Sequence, residues 1–394
     1  MFADLPTPPI DKIIELMTLF AADPRGDKVD LGVGVYRNAA GQVPIMAAVK
    51  EAEHRLWQVQ ETKGYISFAG DAGFIDALSG LVLGEAVPAD RVAGIATPGG
   101  TGGVRQILEL VRHLTPRARV WVSDPSWPNH AVIIDHLGLE RRAYRYLDRD
   151  AGAVDREGMR DDLAGVAQGD IILLHGCCHN PSGADLRAED WDWLAGLCRR
   201  TGAIPFIDMA YQGFGAGLGS DAAGTRALAA QVPEAFIAVS CSKNFGLYRE
   251  RAGMALAISG AGKPRAAAQA QLIAMNRMSF SFPPDHGARL VEMILRDPVL
   301  RASWEAELEG MRGTMHRNRA GLAEALRRET GSDRFGFLAG HQGMFSLCGA
   351  TPEQVLRLRD AHGVYMVPDG RINVAGLTET NIPKVARALA TVLG

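Results

Sequence analysis

Between about residues 70 and 260 the chain repeats one unit, a short apolar run followed by a longer amphipathic stretch. The runs are RVAGIAT (91–97), RVWVSD (119–124), DIILLHG (170–176), AIPFID (203–208), AFIAVS (235–240) and GMALAIS (253–259). They are β-branched and continuously apolar, as strands covered on both faces must be. Between them, VRQILELVRHL (104–114) and DWDWLAGLCRR (190–200) space their apolar residues at helical intervals. Strand and helix in alternation predict an α/β fold, a mostly parallel sheet with helices on both faces.

After about residue 283 the pattern changes. Leu295 to Arg328 reads as one or two long helices with acids and bases interleaved on the polar face. FGFLAG, GMFSLCG, a helix beginning near Thr351-Pro352, VYMV, RINVAG and a helix from Ile382 to Leu393 follow. That order predicts strand–strand–helix–strand–strand–helix, a small α+β unit. A helix from Asp11 to Phe20 and a strand in VDLGVGVY would complete it from the other terminus. A chain of 394 residues has room for two or three domains of ~150 residues each. The expected division is a large domain at 46–309 and a small one made of 1–45 and 310–394.

Charge narrows the function classes. Lys and Arg number 42 against 45 Asp and Glu, a net of −3, so there is no basic field to gather nucleic acid. No run approaches the ~18 apolar residues of a membrane span. The start, MFADLPTPPIDKIIELM, carries Asp4 and no basic segment ahead of an apolar run, unlike a signal peptide. Five cysteines, two of them adjacent, do not make a disulfide framework. A soluble protein of a reducing cytoplasm is expected.

In open parallel sheets ligands bind at the carboxyl ends of the strands. The residues following the runs are rich in chemistry: TPGGTGG (97–103), SDPSW (123–127), HGCCHN (175–180), DMAY (208–211) and SCSK (240–243). PGGTGG leads from a strand into a helix, where backbone N–H groups can approach an anion. It matches neither a P-loop nor GxGxxG, so a plain glycine-rich turn remains equally open. Lys243 is more informative. A lysine at a strand end inside an apolar sheet is desolvated, which lowers its pKa and makes it a usable nucleophile. Asp208 ends another strand, and a buried carboxylate needs a cationic partner. Arg251 follows downstream. One cofactor uses all of these: pyridoxal 5′-phosphate, with a lysine for its aldehyde, an acid for its ring nitrogen, and a helix N-terminus and arginine for its phosphate.

The chain also resembles a known family. SCSKNFGLYRER (240–251), HGCCHNPSG (175–183), DMAYQGF (208–214), DPSWPNH (124–130), TPGGTGG (97–103), LGVGVY (31–36) and GRINVAG (370–376) occur in order. Together they look like the class I, fold type I aminotransferases of the aspartate/aromatic subgroup. NRMSFSFPP (276–284), GSDRFGF (331–337) and TPEQV (351–355) make it most similar to the bacterial aromatic-amino-acid branch. The resemblance covers essentially the whole chain and implies a seven-stranded sheet in the large domain.

The roles that follow are those the resemblance implies. Lys243 forms the Schiff base and then moves the proton between Cα and C4′. Asp208, backed by His130, keeps the pyridine nitrogen protonated. Tyr211 and Asn180 hydrogen-bond O3′, and Trp127 stacks on the ring. Gly100, Thr101, Ser240, Ser242 and Arg251 hold the phosphate, joined by Tyr65 from a second subunit. Arg371 clamps the substrate α-carboxylate, helped by Asn180, Trp127 and the backbone of Gly34. Arg277, also from the partner of a homodimer, takes a side-chain carboxylate. Substrates are amino acids and 2-oxo acids.

Specificity is expected to be dual. A buried, unpaired Arg277 against an aromatic ring costs several kcal/mol. Val43, Gly64 and Phe282 depart from the aspartate-specific pattern of the family by removing polar partners or adding apolar surface, whereas Val35 and Thr101 keep it. Tyrosine and phenylalanine, then tryptophan, are expected alongside aspartate, glutamate and 2-oxoglutarate. The alternative is an aspartate aminotransferase with minor aromatic activity. A ligand-sensing relative of these enzymes is disfavoured, because no DNA-binding module precedes the arm. Decarboxylation or β-elimination would share Lys243 and Asp208. Zinc at HGCCH is not expected: in an extended strand Cys177 and Cys178 would face apart, and there is no CxxC pair elsewhere to complete four ligands.

Overall fold

A computed structural model describes Phe2, Leu5 and residues 12–394. Its central sheet has seven strands: β1 (Val92–Pro98), β2 (Arg119–Asp124), β3 (Glu140–Arg145), β4 (Ile171–His175), β5 (Ile204–Met209), β6 (Ala235–Ser240) and β7 (Ala252–Ile258). They lie in the order β1-β7-β6-β5-β4-β2-β3. β7 is antiparallel to both neighbours and every other pair is parallel. The six apolar runs all become strands, with ends within a residue of those expected. β3 was not anticipated. It is the edge strand, and its sequence ERRAYR exposes all but one of its residues, so no apolar run marks it.

Both faces of the sheet are covered. In β4, Ile171 and Leu173 join a core with Ile107 and Val111 of the helix Gly99–Leu114. Ile172 and Leu174 point the other way, into a core shared with Leu194 of the helix Ala188–Thr201. Alternation along one strand thus feeds two cores, which is why residues 171–174 are apolar throughout.

The 295–328 region is the end of the helix His286–Arg296 followed by the helix Pro298–Thr330. Asp297 separates them and caps the second, accepting from the N–H groups of Val299 and Leu300. That 33-residue helix runs unbroken through residues 309 and 310.

Two expectations beyond it need correction. FGFLAG is not a strand but a short helix, Phe337–Gly340. Its neighbourhood buries Phe335 and Leu338, three residues apart, which is a helical spacing hidden in an aromatic-rich string. VDLGVGVY contributes only Val29–Asp30 as strand, paired parallel with Val364–Tyr365. The Asp30 carboxylate then accepts from the N–H groups of Gly32 and Val33 and turns the chain. Asp11, expected to open the first helix, lies outside the described residues; the helix Lys12–Ala22 follows. Phe345–Leu347 and Arg371–Asn373 form an antiparallel pair, Thr351 and Gln354 make a capping box for the helix Pro352–His362, and Ile382–Leu393 is helical as expected.

Candidate active site

Asp208 closes β5 and sits in register with His175 at the end of β4. Its Oδ2 is 2.9 Å from Nε2 of His130, a ring with no solvent exposure. Ser126 Oγ lies 3.1 Å from His130 Nδ1 and 3.2 Å from His175 Nε2, tying both rings beneath the carboxylate. Burial alone would raise the Asp208 pKa, but the hydrogen bond from His130 and nearby positive groups hold it below the usual carboxylate range. Burial pushes His175 down to about 3, so that ring is neutral. The floor of the site is therefore an ionised carboxylate kept in place by imidazole.

Lys243 follows β6, with Nζ 4.9 Å from the centre of the Tyr211 ring. Desolvation lowers its pKa to about 8, against the pull of Asp208, so an appreciable fraction is neutral amine near pH 8. Burial moves the Tyr211 phenol the other way, upward. Asn180 Nδ2 donates to the Tyr211 hydroxyl at 3.5 Å.

A cradle for an anion closes one end. Because β7 runs against its neighbours, Arg251 at its start reaches the same sheet edge as the carboxyl ends of β1 and β6. Arg251 Nη1 donates to Ser242 Oγ at 3.1 Å, and the Ser242 N–H donates to Ser240 Oγ at 3.2 Å. The helix Gly99–Leu114 begins here, inside the glycine-rich run and earlier than its apolar periodicity suggested. Gly99 has φ +67°, and a Cβ on it would lie 2.5 Å from Arg251 Nη2. A Cβ on Gly100 would meet that of Ser240 at 2.8 Å. Helix N–H groups, two hydroxyls and a guanidinium converge on space that only glycine leaves open.

Arg371 closes the other end. Its Nη1 donates to Asn180 Oδ1 and its Nη2 to the Gly32 carbonyl, both at 3.2 Å, and its guanidinium lies 4.3 Å over the Phe345 ring. Its buried Nε has no partner, and no carboxylate within the described residues pairs with it. This is a donor set prepared for a planar oxyanion.

A cavity of about 220 Å³ joins these parts. Gly34, Gly100, Thr101, Trp127, Asn180, Asp208, Tyr211, Ser240, Ser242, Lys243 and Arg251 line it, together with His175, Ala210 and Tyr248. His130 and Arg371 reach it through Asp208 and Asn180. Tyr65 and Arg277 do not. Tyr65 is 85% exposed and stacks on Phe282 at 4.4 Å; Arg277 is exposed, 4.7 Å over the Phe68 ring, and donates to Ser281 Oγ at 2.6 Å. Val43, Gly64 and Phe282 also lie away from the cavity lining.

Reading the sequence missed Ser126, Tyr248 and Phe345. Ser126 stands in DPSWPNH one turn before His130 and was legible in principle. Tyr248 and Phe345 enter only through tertiary contacts. Cys177 and Cys178 do not sit in an extended strand as expected. The pair lies beyond β4, Cys178 has φ +52°, and the two sulfurs come within 4.8 Å of each other and of an Asp221 oxygen. That oxygen set is already used: Asp221 accepts from the N–H groups of Gly213, Gly215 and Ala216. All five cysteines are buried free thiols.

The chemistry of the donors fits pyridoxal phosphate: a dianion cradle, an acid for a ring nitrogen, a near-neutral amine between them, and an unspent guanidinium beyond. Comparison with known proteins agrees. The family model for aminotransferase class I and II matches residues 26–389. An aromatic-amino-acid aminotransferase of Paracoccus denitrificans is 52% identical over 97% of each chain. An aspartate aminotransferase of Escherichia coli is 42% identical over the full length of both. The crystal structure of an aromatic-amino-acid aminotransferase from Burkholderia pseudomallei, covalently bound to pyridoxal phosphate, superposes with a TM-score of 0.97 over all of both chains at 40% identity. A full-length family match on a site whose donors meet that family's chemistry leaves one assignment: this chain belongs to the class I and II aminotransferases.

Proposed function

We propose that the protein transfers amino groups from aromatic L-amino acids, tyrosine and phenylalanine foremost, to 2-oxoglutarate, and also accepts aspartate and glutamate. It is a pyridoxal-phosphate enzyme. The observation that carries this reading is the ionised Asp208, braced by His130, facing Lys243 in a cavity with an anion cradle at one end and Arg371 at the other.

When bound, the cofactor supplies an electron sink that makes the substrate Cα–H acidic, and it stores the amino group between two half-reactions. Lys243 anchors it covalently. Freed when substrate binds, the same amine would hold and move the proton at the substrate Cα, a task suited to a pKa lowered toward neutrality. Asp208 holds a proton on the ring nitrogen through charge. Tyr211 and Asn180 orient the ring oxygen, and Trp127 covers the ring face. Gly100, Thr101, Ser240, Ser242 and Arg251 bind the phosphate. Arg371, with Asn180 and the Gly34 backbone, would fix the α-carboxylate and so orient the substrate toward Lys243.

A homodimer completes the site in this reading, with Tyr65 reaching the partner's phosphate and Arg277 its distal pocket. Both are exposed on a single chain, beside exposed apolar side chains such as Trp57, Ile66 and Met278, which is surface a second copy would cover. The small unit, 1–45 with 310–394, would then move against 46–309 to exclude water. A cytoplasmic protein is proposed, and no helix among the described residues is long and apolar enough to cross a membrane.

Aspartate preference is the second reading, favoured by the retention of Arg277. Comparing kcat/KM for phenylalanine and aspartate separates the two. Phenylalanine at or above aspartate supports the aromatic assignment; aspartate far ahead overturns it. Mass spectrometry after borohydride reduction tests the chemistry itself: the cofactor adduct is expected on Lys243 and nowhere else.

A further inference from the structure

A guanidinium fully buried in the small unit has no role in the account above. Arg319, on the helix Pro298–Thr330, is 1% exposed, and no acidic side chain among the described residues pairs with it. Its Nε has no partner and its Nη1 reaches the Leu338 carbonyl at 3.5 Å, but the remaining donors go to one segment. Nη2 donates to the carbonyls of Gln342 at 3.1 Å, Gly343 at 2.7 Å and Phe345 at 2.7 Å, and Nη1 donates to Ser346 Oγ. Burying an unpaired charge is expensive, and its cost in proton affinity is visible: desolvation brings this arginine down to about 10. Neutral groups could tie a loop more cheaply. A planar fork that collects several carbonyls at fixed angles is what only arginine supplies.

The segment it grips touches the active site in three places. The Phe345 ring lies 4.3 Å beneath the Arg371 guanidinium, 6.1 Å edge-on from Tyr211, and 3.0 Å from where a Cβ on Gly34 would be. Its strand is hydrogen-bonded to the one that carries Arg371. The same segment docks on the loop bearing Asn180: the Gln342 N–H donates to the Gly183 carbonyl at 2.7 Å, and a Cβ on Gly343 would fall 2.3 Å from that of Cys178.

We infer that Arg319 is a positioning residue for the α-carboxylate site: by fixing the backbone of 342–346 it holds the Phe345 ring as the plate on which Arg371 and the Gly34 turn are set. The inference rests on the proposed role of Arg371.

The test uses the cofactor-loaded enzyme and three variants, Arg319→Lys, Phe345→Leu and Arg371→Lys. Calorimetric titration with 3-phenylpropionate, a carboxylate without the reacting amine, is read beside KM and kcat for phenylalanine and aspartate. A lysine keeps the charge but cannot span the carbonyls. Arg319→Lys and Phe345→Leu are expected to raise KM and the 3-phenylpropionate Kd about ten- to hundredfold, equally for both amino acids, with kcat and the visible cofactor band little changed. Unchanged Kd in folded Arg319→Lys overturns the inference, as does a loss confined to kcat or cofactor retention. If Arg319→Lys fails to fold, Phe345→Leu decides by the same criteria. Weakening in Arg371→Lys alone overturns this inference and leaves the function standing. No weakening in Arg371→Lys overturns the reading of the carboxylate site and this inference with it.

Discussion

Replacing Gly99 by alanine should detach one end of the cofactor selectively. Its φ of +67° disfavours any L residue, by roughly 1–2 kcal/mol. The added methyl would also lie 2.5 Å from Arg251 Nη2 and 2.8 Å from its Cζ. Ordinary contact requires the guanidinium to retreat by about 1 Å, which breaks its 3.1 Å bond to Ser242 and withdraws a charged donor from the phosphate. One hydrogen bond to a charged group is worth about 1.5–3 kcal/mol, or about 10- to 150-fold in Kd. Fluorescence titration of the cofactor-free protein with pyridoxal phosphate should show that rise, whereas pyridoxal without its phosphate should bind nearly as before. Gly219→Ala, at a helical glycine with nothing within 4 Å of the added carbon, is the control. Equal weakening of both ligands, or of neither, would refute the assignment of this cradle to the phosphate.

Asp208→Asn removes the charge under the ring while keeping its shape, and by analogy with breaking a buried pair (about 3–5 kcal/mol) kcat should fall roughly 150- to 5,000-fold; a steady-state assay with near wild-type turnover would remove Asp208 from the mechanism. Lys243 titrates near 8 in the folded chain and at its ordinary 10.5 when unfolded, so the unfolded state binds more protons between those values. Stability of the cofactor-free protein should therefore gain up to about 1.4 kcal/mol per pH unit across that window from this group, and urea midpoints should lose that slope in Lys243→Met. Arg277→Leu should lower kcat/KM for aspartate about tenfold or more and spare phenylalanine; equal losses for both would show that Arg277 does not read the side chain. Mixing Lys243→Ala with Arg277→Leu subunits should restore aspartate activity above that of either parent, through one hybrid site with both residues intact, and no gain on mixing would argue against shared sites.

How far the residues alone reach depends on where the information sits. The six buried strands were legible because a strand covered on both faces must be apolar throughout, and their ends marked the ligand edge that carries Asp208, Ser240 and Lys243. β3 was not, because ERRAYR spends its side chains on solvent and ion pairs and its pairing on β2 leaves no trace in hydrophobicity. The short helix Phe337–Gly340 was lost for a related reason: four residues are too few to display a period. Within the site, residues near a strand end were found, Ser126 excepted, and Phe345 and Tyr248, which arrive by tertiary packing, were not. Nor could spacing show the direction of β7. An antiparallel strand and a parallel one have the same apolar signature, so the delivery of Arg251 to this edge is a property of topology.

That reversed strand has a consequence for how the enzyme can change. Because β7 returns along β6, one short hairpin-like connection, residues 241–251, carries both Lys243, proposed to tether the coenzyme, and Arg251, proposed to grip its far end. The two handles share a single stretch of backbone and cannot drift apart by insertions elsewhere. The groups proposed to hold the substrate lie on other stretches, Arg277 in the last turn of a separate helix and Arg371 near the carboxyl terminus. A lineage can therefore rework its choice of amino acid extensively while its coenzyme socket stays inherited as one piece.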